Sequence, residues 1–465
     1  MASSFGGINT ALTSLYAQRR ALDVTGQNIA NANTEGYTRQ RAEMQSQVGS
    51  LSPAMYARTD GLGTGVAVSD VQRLRDEFME NRGRAEHGKS AYLAQQTSAY
   101  GSIEDVFAEP GDTALAAQLH DMWGGWNDVS NNPQLAATRS TLLQQASTVA
   151  DGLNSAHSSL ASQWSQSSTQ LAAYTNEVNT TADSIAQLND SIVKAKATGL
   201  TVNELEDRRD LQVMKLSELA GATASARANG AVDVFVGNST LVSEFTTRKL
   251  EVSGAKRLDD QNSDPMTLRW ADTKTAVQAG GTMGAMADTM TTIIPAISDA
   301  LDSVAKNLAD KVNTLHGGGY SKDGSTGLDF FTSSSGGDIT AGTIRLNITD
   351  PDQVAVSGTD GTYDNSIADQ MADLGESIDG PDREYQGMIG QLGVAAQASG
   401  RRNDIQATVT EQVDASREGQ SGVNLDEEMT NLLTYQRGYE AASRVLTTID
   451  SMLDQLINRT GLVGR

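Results

Sequence analysis

Cysteine is missing from all 465 residues, which excludes disulfide frameworks, thiol nucleophiles and Cys-ligated zinc or iron–sulfur centres. Proline occurs seven times, with none after Pro381, and aromatic residues make up only 5%. A chain so poor in both is better suited to helices of Ala, Leu, Ser and Gln than to a thick β-sandwich core. The four histidines, His87, His120, His157 and His316, are too far apart in sequence to form a local metal-binding pair. No apolar run approaches the ~20 residues of a membrane-spanning helix. The longest uncharged stretch, 152–176, is filled with Ser, Gln and Thr. Met1–Gly7 lacks a basic lead and an apolar run, so no secretory signal peptide is expected there. Basic residues are outnumbered, 35 against 58 acidic, and the net charge of −23 argues against nucleic acid as a partner.

What is present is ordinary globular material. Hydrophobic residues are 38% of the chain and glycine adds 44 residues, enough for a packed core. At ~150 residues per domain the length suggests about three domains.

The first 45 residues carry Phe5, Ile8, Leu12, Leu15, Arg19, Leu22, Gly26 and Ile29 at alternating steps of three and four, an interrupted helical stripe with six of its eight positions apolar. Asn28, Asn31, Asn33 and Gly36 then form a stop signal. The last 43 residues mirror this. Leu425, Met429, Leu432, Tyr439, Leu446, Ile449, Leu453 and Leu456 mark one helical face, and Asn424 is a candidate cap before Asp426-Glu427-Glu428. Either helix alone is marginal, so the two stripes are expected to cover one another. The basic residues of the first stripe, Arg19 and Arg20, are too few for a membrane surface, and a partner helix is the expected cover.

Between the ends, 133–199 reads as one long rod. Leu142, Ala146, Val149, Leu153, Ala156, Leu160, Trp164, Leu171, Val178, Ile185 and Ile192 keep helical spacing, with Gly152 the only glycine before Gly199. Helices are also expected at about 202–219, 285–315 and 385–412. Val232, Val234 and Val236, followed by Gly237-Asn238 and Leu241-Val242, indicate a hairpin. Further strand candidates are 250–252, 266–270 and 344–348. The expected architecture is therefore mainly α with β-rich insertions, an elongated multidomain chain with paired terminal helices and a helical-bundle trunk. Its units are 1–45 with 421–465, a trunk of 46–221, 283–317 and 381–420, and an outer β-rich part of 222–282 and 318–380.

Two motifs suggest chemistry. Gly83-Arg84-Ala85-Glu86-His87-Gly88-Lys89-Ser90 fits the P-loop pattern, but no hydrophobic strand leads into it. Val71, Leu74 and Phe78 precede it with helical spacing, so a chance match on a charged helix is expected. His316-Gly317-Gly318-Gly319 looks like an oxyanion loop, yet the chain has no Gly-x-Ser-x-Gly elbow to accompany it. Neither Asp259–Asp264 nor Asp323–Asp329 has the closing Glu of a calcium loop. Trp123 and Trp126 are expected in the core. No catalytic, cofactor-binding or metal-ligating residue is expected.

Ala30-Asn31-Ala32-Asn33-Thr34-Glu35-Gly36-Tyr37-Thr38-Arg39 resembles the N-terminal signature of the bacterial flagellar axial proteins, the family of rod, hook and hook-associated subunits. The segment from Ser421-Gly422-Val423-Asn424-Leu425-Asp426-Glu427-Glu428 through Tyr435-Gln436 to Tyr439-Glu440-Ala441-Ala442 resembles its C-terminal one. Val312–Tyr320 and Gly327–Phe331 are similar to a mid-chain segment of hook-associated members. The resemblance implies a structural subunit in a ring or short helical zone between hook and filament. It would be extracellular, exported through the flagellar type III channel without a signal peptide, and assembled through its terminal helices. Implied neighbours are further copies, the hook protein and the second junction protein, hook-associated protein 3. An export chaperone is implied at Leu446, Ile449, Leu453 and Leu456. Alternatives are another axial subunit or, from the P-loop-like octapeptide, a secreted nucleotide-binding enzyme.

Overall fold

The computed structural model describes residues 4–47 and 63–458, with the side chains of residues 4, 5 and 458 outside the description. Helix α1 (Ser4–Ala30) leads to a hairpin of β1 (Gln40–Gln47) and β2 (Gly65–Arg73). Four helices follow: α2 (Glu77–Phe107), α3 (Leu115–Asn131), α4 (Ala136–Ala197) and α5 (Asn203–Ala220). A β-rich stretch contains β3 (Thr223–Ala226), β4 (Val232–Val236), β5 (Ser239–Ser243), β6 (Thr246–Thr247), β7 (Leu250–Ser253) and β8 (Thr267–Trp270). The chain re-enters the helical body through α6 (Gly281–Asp288), a π-helical turn at Thr289–Ile293, and α7 (Ile294–Gly317). After β9 (Phe331–Ser333), β10 (Ile344–Leu346) and α8 (Ser366–Asp373), it returns along α9 (Pro381–Ser421) and ends in α10 (Leu425–Asn458).

The rod expected at 133–199 is α4, 62 residues long. At 1.5 Å per residue it spans about 90 Å and sets the elongation of the molecule. Its apolar spacing does the packing. Leu142, Leu153, Leu160, Trp164, Leu171, Val178, Ile185 and Ile192 are fully buried, against α3 at one end and α5 and the β-rich stretch at the other. The Trp164 indole donates to the Met290 carbonyl in the π turn (2.9 Å), fixing α4 to the irregular start of α7. Phe330 packs tilted or edge-on against Trp126, His316 and Phe331, with ring centroids 5.0–5.3 Å apart, and Trp123 is also buried.

Strands β3-β4-β5-β6 form one antiparallel sheet and β7-β8 a second. Gly237 (φ +53°) and Asn238 (φ +64°) both turn left-handed between β4 and β5, as a tight hairpin demands. Two asparagines on α4 hold the sheets. Asn189 donates to the carbonyls of Val232 (2.8 Å) and Glu244 (2.7 Å) and accepts from the Val232 amide (3.0 Å). Asn179 makes the same paired exchange with Leu250.

Two features differ from expectation. The β1–β2 hairpin stands where no strand was expected, and Val71, read with helical spacing, is a strand residue. Its first strand, QRAEMQSQ, has no apolar alternation, because pairing with β2 and packing on α1 create it. The insertion 318–380 is less β-rich than its apolar pairs suggest: it holds two three-residue strands and a helix.

Candidate assembly interface

Helices α1 and α10 run antiparallel against each other. The pairing is marked at one end by Asn28 with Glu428, midway by Gln18 over Gly438, and at the other end by Gly7 against Ile449. Asn424 caps α10, accepting from the amides of Asp426 (3.0 Å) and Glu427 (3.3 Å). Of the expected α1 stripe, Ile8, Leu15, Leu22 and Ile29 are half-buried and Leu12 is exposed; the Phe5 side chain lies outside the described residues. The most deeply buried face carries smaller residues instead: Ala11, Ala17, Ala21 and Val24. The reason is that α1 serves two partners. Ala21 and Val24 pack on Ala42 and Val71 of the hairpin, with Tyr435 of α10 closing the cluster. On α10, Ala442 is buried, Leu432, Leu446, Ile449 and Leu453 are half-buried, and Tyr439 and Leu456 are exposed.

Where the two ends meet, polar residues take over. The Asn28 amide donates to the Gln40 carbonyl (2.8 Å) and to Glu428 (3.1 Å), while its oxygen accepts from Tyr37 (2.8 Å) and the Gln40 amide (3.0 Å). Every hydrogen-bonding position of that side chain is used. Burial first, then the carboxylates of Asp207 and Glu428, push the Tyr37 hydroxyl up to about 12, which keeps it a donor. Arg39 pairs with Glu427 and Glu428, both at 2.7 Å, and its amide donates to the Ser421 carbonyl. The Thr38 amide reaches Asp207 on α5 (3.2 Å). The segment 28–40 therefore joins α1, α10 and the trunk at one place. Apolar periodicity gave no sign of this role; the signal was two polar residues, Asn28 and Glu428, at the ends of apolar seams.

Beneath it lies a buried ionic network. Arg73 pairs with Glu206, Asp207 and Asp210, each at 2.9 Å. Arg75 pairs with Asp210 and with Glu80 (2.6 Å), and Arg417 links Glu80 (3.1 Å) to Asp414 (2.8 Å). Burial alone would raise the Asp210 carboxyl, but the guanidiniums of Arg75, Arg209 and Arg73 hold it below its ordinary value. Glu80 is likewise lowered, because Arg75 and Arg417 outweigh its desolvation.

The octapeptide 83–90 lies wholly inside α2, so its amides are occupied by the helix and no phosphate-cradling loop exists there. Its glycines have a packing reason. A Cβ at Gly88 would stand 2.8 Å from the Ser217 carbonyl oxygen, where α2 crosses α5. Gly88→Ala is expected to cost about 1–3 kcal/mol in a urea unfolding experiment, despite the better helix propensity of alanine. Gly390→Ala on α9, where the added methyl meets nothing within 4 Å, should instead stabilise by up to about 1 kcal/mol. His316 is a buried strut: Nδ1 lies 2.7 Å from the Leu328 carbonyl, and Nε2 accepts from the Ala355 amide at 2.9 Å. Burial keeps it neutral, which that pair of contacts requires. Among the described residues no group of three or more His, Asp or Glu is placed to hold a metal ion, and no helix is long and apolar enough to cross a membrane.

A long helical trunk bearing small β insertions, with two chain ends folded together beside it, is the architecture of an axial structural subunit. The comparisons agree. The family model of the flagellar hook-associated protein FlgK helical domain matches residues 100–331. Those of the flagellar basal body rod FlgEFG protein C-terminal region and of the flagella basal body rod protein match 418–459 and 8–38. Flagellar hook-associated protein 1 of Bacillus subtilis is 31% identical over 510 residues, covering 100% of both chains. That of Salmonella typhimurium is 23% identical, covering 97% of this chain and 99% of the relative. Both alignments are longer than the chain, so these relatives carry segments it lacks. The flagellar hook junction protein FlgK from Burkholderia pseudomallei has a similar fold, with a TM-score of 0.63 at 14% identity, covering 73% of this chain and 99% of that one. The chain belongs to the flagellar hook-associated protein 1 family.

Proposed function

We propose that the chain is a structural layer between hook and filament, assembled through its paired terminal helices. The observation that carries this is what the pairing leaves uncovered. After α1 and α10 have closed on each other, Tyr16 (65%), Met452 (57%) and Ile457 (75%) remain widely exposed, with Leu12, Leu433, Tyr439, Val445 and Leu456 also exposed. So much apolar surface on one helix pair is an interaction surface. Neighbouring copies cover it laterally, and the hook protein and the second junction protein cover it axially. Before assembly, an export chaperone covers the half-buried Leu446, Ile449 and Leu453 together with Leu456. The three-unit division given above assigns the terminal unit to assembly and the trunk and insertions to lateral contact. Delivery is by type III export without a signal peptide, and the role requires no catalysis.

The test is deletion of the gene followed by electron microscopy of the cells and an assay for flagellin in the medium. Bare hooks with shed monomeric flagellin are expected. Met452→Asp and Leu12→Asp should give the same phenotype while leaving the thermal midpoint of the purified monomer unchanged. Normal filaments in either variant would show that the exposed stripe is not the assembly surface.

A further inference from the structure

His87 belongs to the octapeptide on α2 and has no part in the interface described above. Its ring lies between carboxylates of two other helices. Nδ1 is 3.1 Å from Glu218 on α5, and Nε2 is 2.8 Å from Asp414 on α9. A neutral imidazole has one N–H, so its second nitrogen would turn a lone pair on a carboxylate. Only the imidazolium donates to both. We propose that His87 is a proton-dependent clasp that ties α2 to α5 and α9 and loosens when its imidazolium is deprotonated.

The surroundings favour the charged form. His87 faces a cavity of about 460 Å³ that the loop after α1 also lines. That loop contributes Glu35, α5 contributes Glu218 with Asp207 and Asp210, and α9 contributes Asp414 and Glu418. The cations there are Arg75 and Arg417, with Glu80 of α2 between them. Arg75 also holds Asp210, and Arg73 holds Asp207 and Asp210, so neither aspartate is free to balance the ring. Glu218 is bound by His87 and, among the described residues, by no other cation.

The bond to Glu218 first, then the charge of Asp414, raise the His87 pKa above its ordinary 6.5, against the opposing effect of burial. The sign follows. The clasp contributes fully below pH 6.5 and is lost as pH rises through the raised folded-state value. Across that window the opening equilibrium grows by up to about tenfold per pH unit. The effect does not stop at the ring. Asp414 is bonded to Arg417, Arg417 to Glu80, Glu80 to Arg75, Arg75 to Asp210 and Asp210 to Arg73. Arg73 in turn holds Asp207, the acceptor of the Thr38 amide. His87 is the one member of this chain of contacts that titrates near neutrality.

The experiment uses the full-length chain with ¹³C-labelled histidine. The His87 ring resonance, assigned by its loss in His87→Gln, is expected to titrate above 6.5. Hydrogen exchange at the α2–α5–α9 contact, corrected for its intrinsic pH dependence, should accelerate as pH rises above 6.5 through the raised folded-state value. His87→Gln should remove that acceleration, and His87→Arg, which stays charged, should remove it while keeping the contact protected. The proposal is overturned if the ring titrates at or below 6.5. It is equally overturned if either variant retains the alkaline acceleration of the natural chain.

Discussion

Asp210→Ala is expected to destabilise the chain more than any other single substitution discussed, by about 3–5 kcal/mol in urea denaturation. Asp210 is buried on α5 and touches Arg73, Arg75 and Arg209. Its removal takes away the carboxylate that these guanidiniums share, leaving Arg73 to Glu206 and Asp207, Arg75 to Glu80, and the buried Arg209 with no carboxylate paired to it among the described residues. Arg84 is already weakly served: its Nε has no partner and its nearest approach to Asp210 is 3.9 Å. Asp210→Asn keeps the shape and loses the charge, so most of the loss should persist in that variant. The same network predicts acid lability. Asp210 and Glu80 have folded-state values below their ordinary 3.8 and 4.5. Their contribution is therefore present above the usual carboxylate range and disappears as pH falls through the lowered values. A urea midpoint that held constant down to pH 3 would show that the network carries little of the stability.

Glu428→Ala should come second, and its effect should be local. Glu428 is 2% exposed and binds both Arg39 and Asn28. Removing it leaves the half-buried Arg39 guanidinium with only the exposed Glu427 and breaks the contact that sets α10 against α1, at a cost of about 3 kcal/mol to that pairing. Hydrogen exchange should rise across α1 and α10 while α4 stays protected. The adjacent Glu427 binds the same arginine at the same 2.7 Å, but its side chain is 59% exposed. Glu427→Ala should therefore cost no more than about 1 kcal/mol. Equal effects from the two substitutions would mean that burial does not decide the strength of this joint.

How far the sequence carried the fold varies by element. Helix α4 was legible almost to its ends, because a rod with one glycine and helical apolar spacing interrupted only at Ser167 and Thr181 has no competing period. The β4–β5 hairpin was legible because Gly237-Asn238 carries its own turn chemistry. The β1 strand was not, since its residues are polar and their order comes from partners distant in sequence. The pairing of the chain ends was legible as two apolar stripes, but which face each helix buries was not. Ala21 and Val24 are buried positions because the hairpin approaches from a side that the larger side chains do not mark. The polar joint at Asn28, Tyr37, Arg39 and Glu428 left no periodic trace, and hydrogen-bond complementarity appears only once the segments stand together.

The contact between Asn28 and Glu428 spans 400 residues of sequence. Its loop-closure entropy grows only with the logarithm of that length, so distance alone does not make it weak. Timing is another matter. A chain made, or threaded through a channel, from its N-terminus must leave the α10-facing side of α1 uncovered until α10 arrives, with only the β1–β2 hairpin packed on the helix. The trunk closes just ahead of α10, since α2 also waits for a distant partner, α9, as in the Glu80–Arg417 pair 337 residues apart. The terminal unit is thus a completeness check written into topology: a chain that stops before Glu428 has a folded body but no closed end, and nothing with which to take its place among its neighbours.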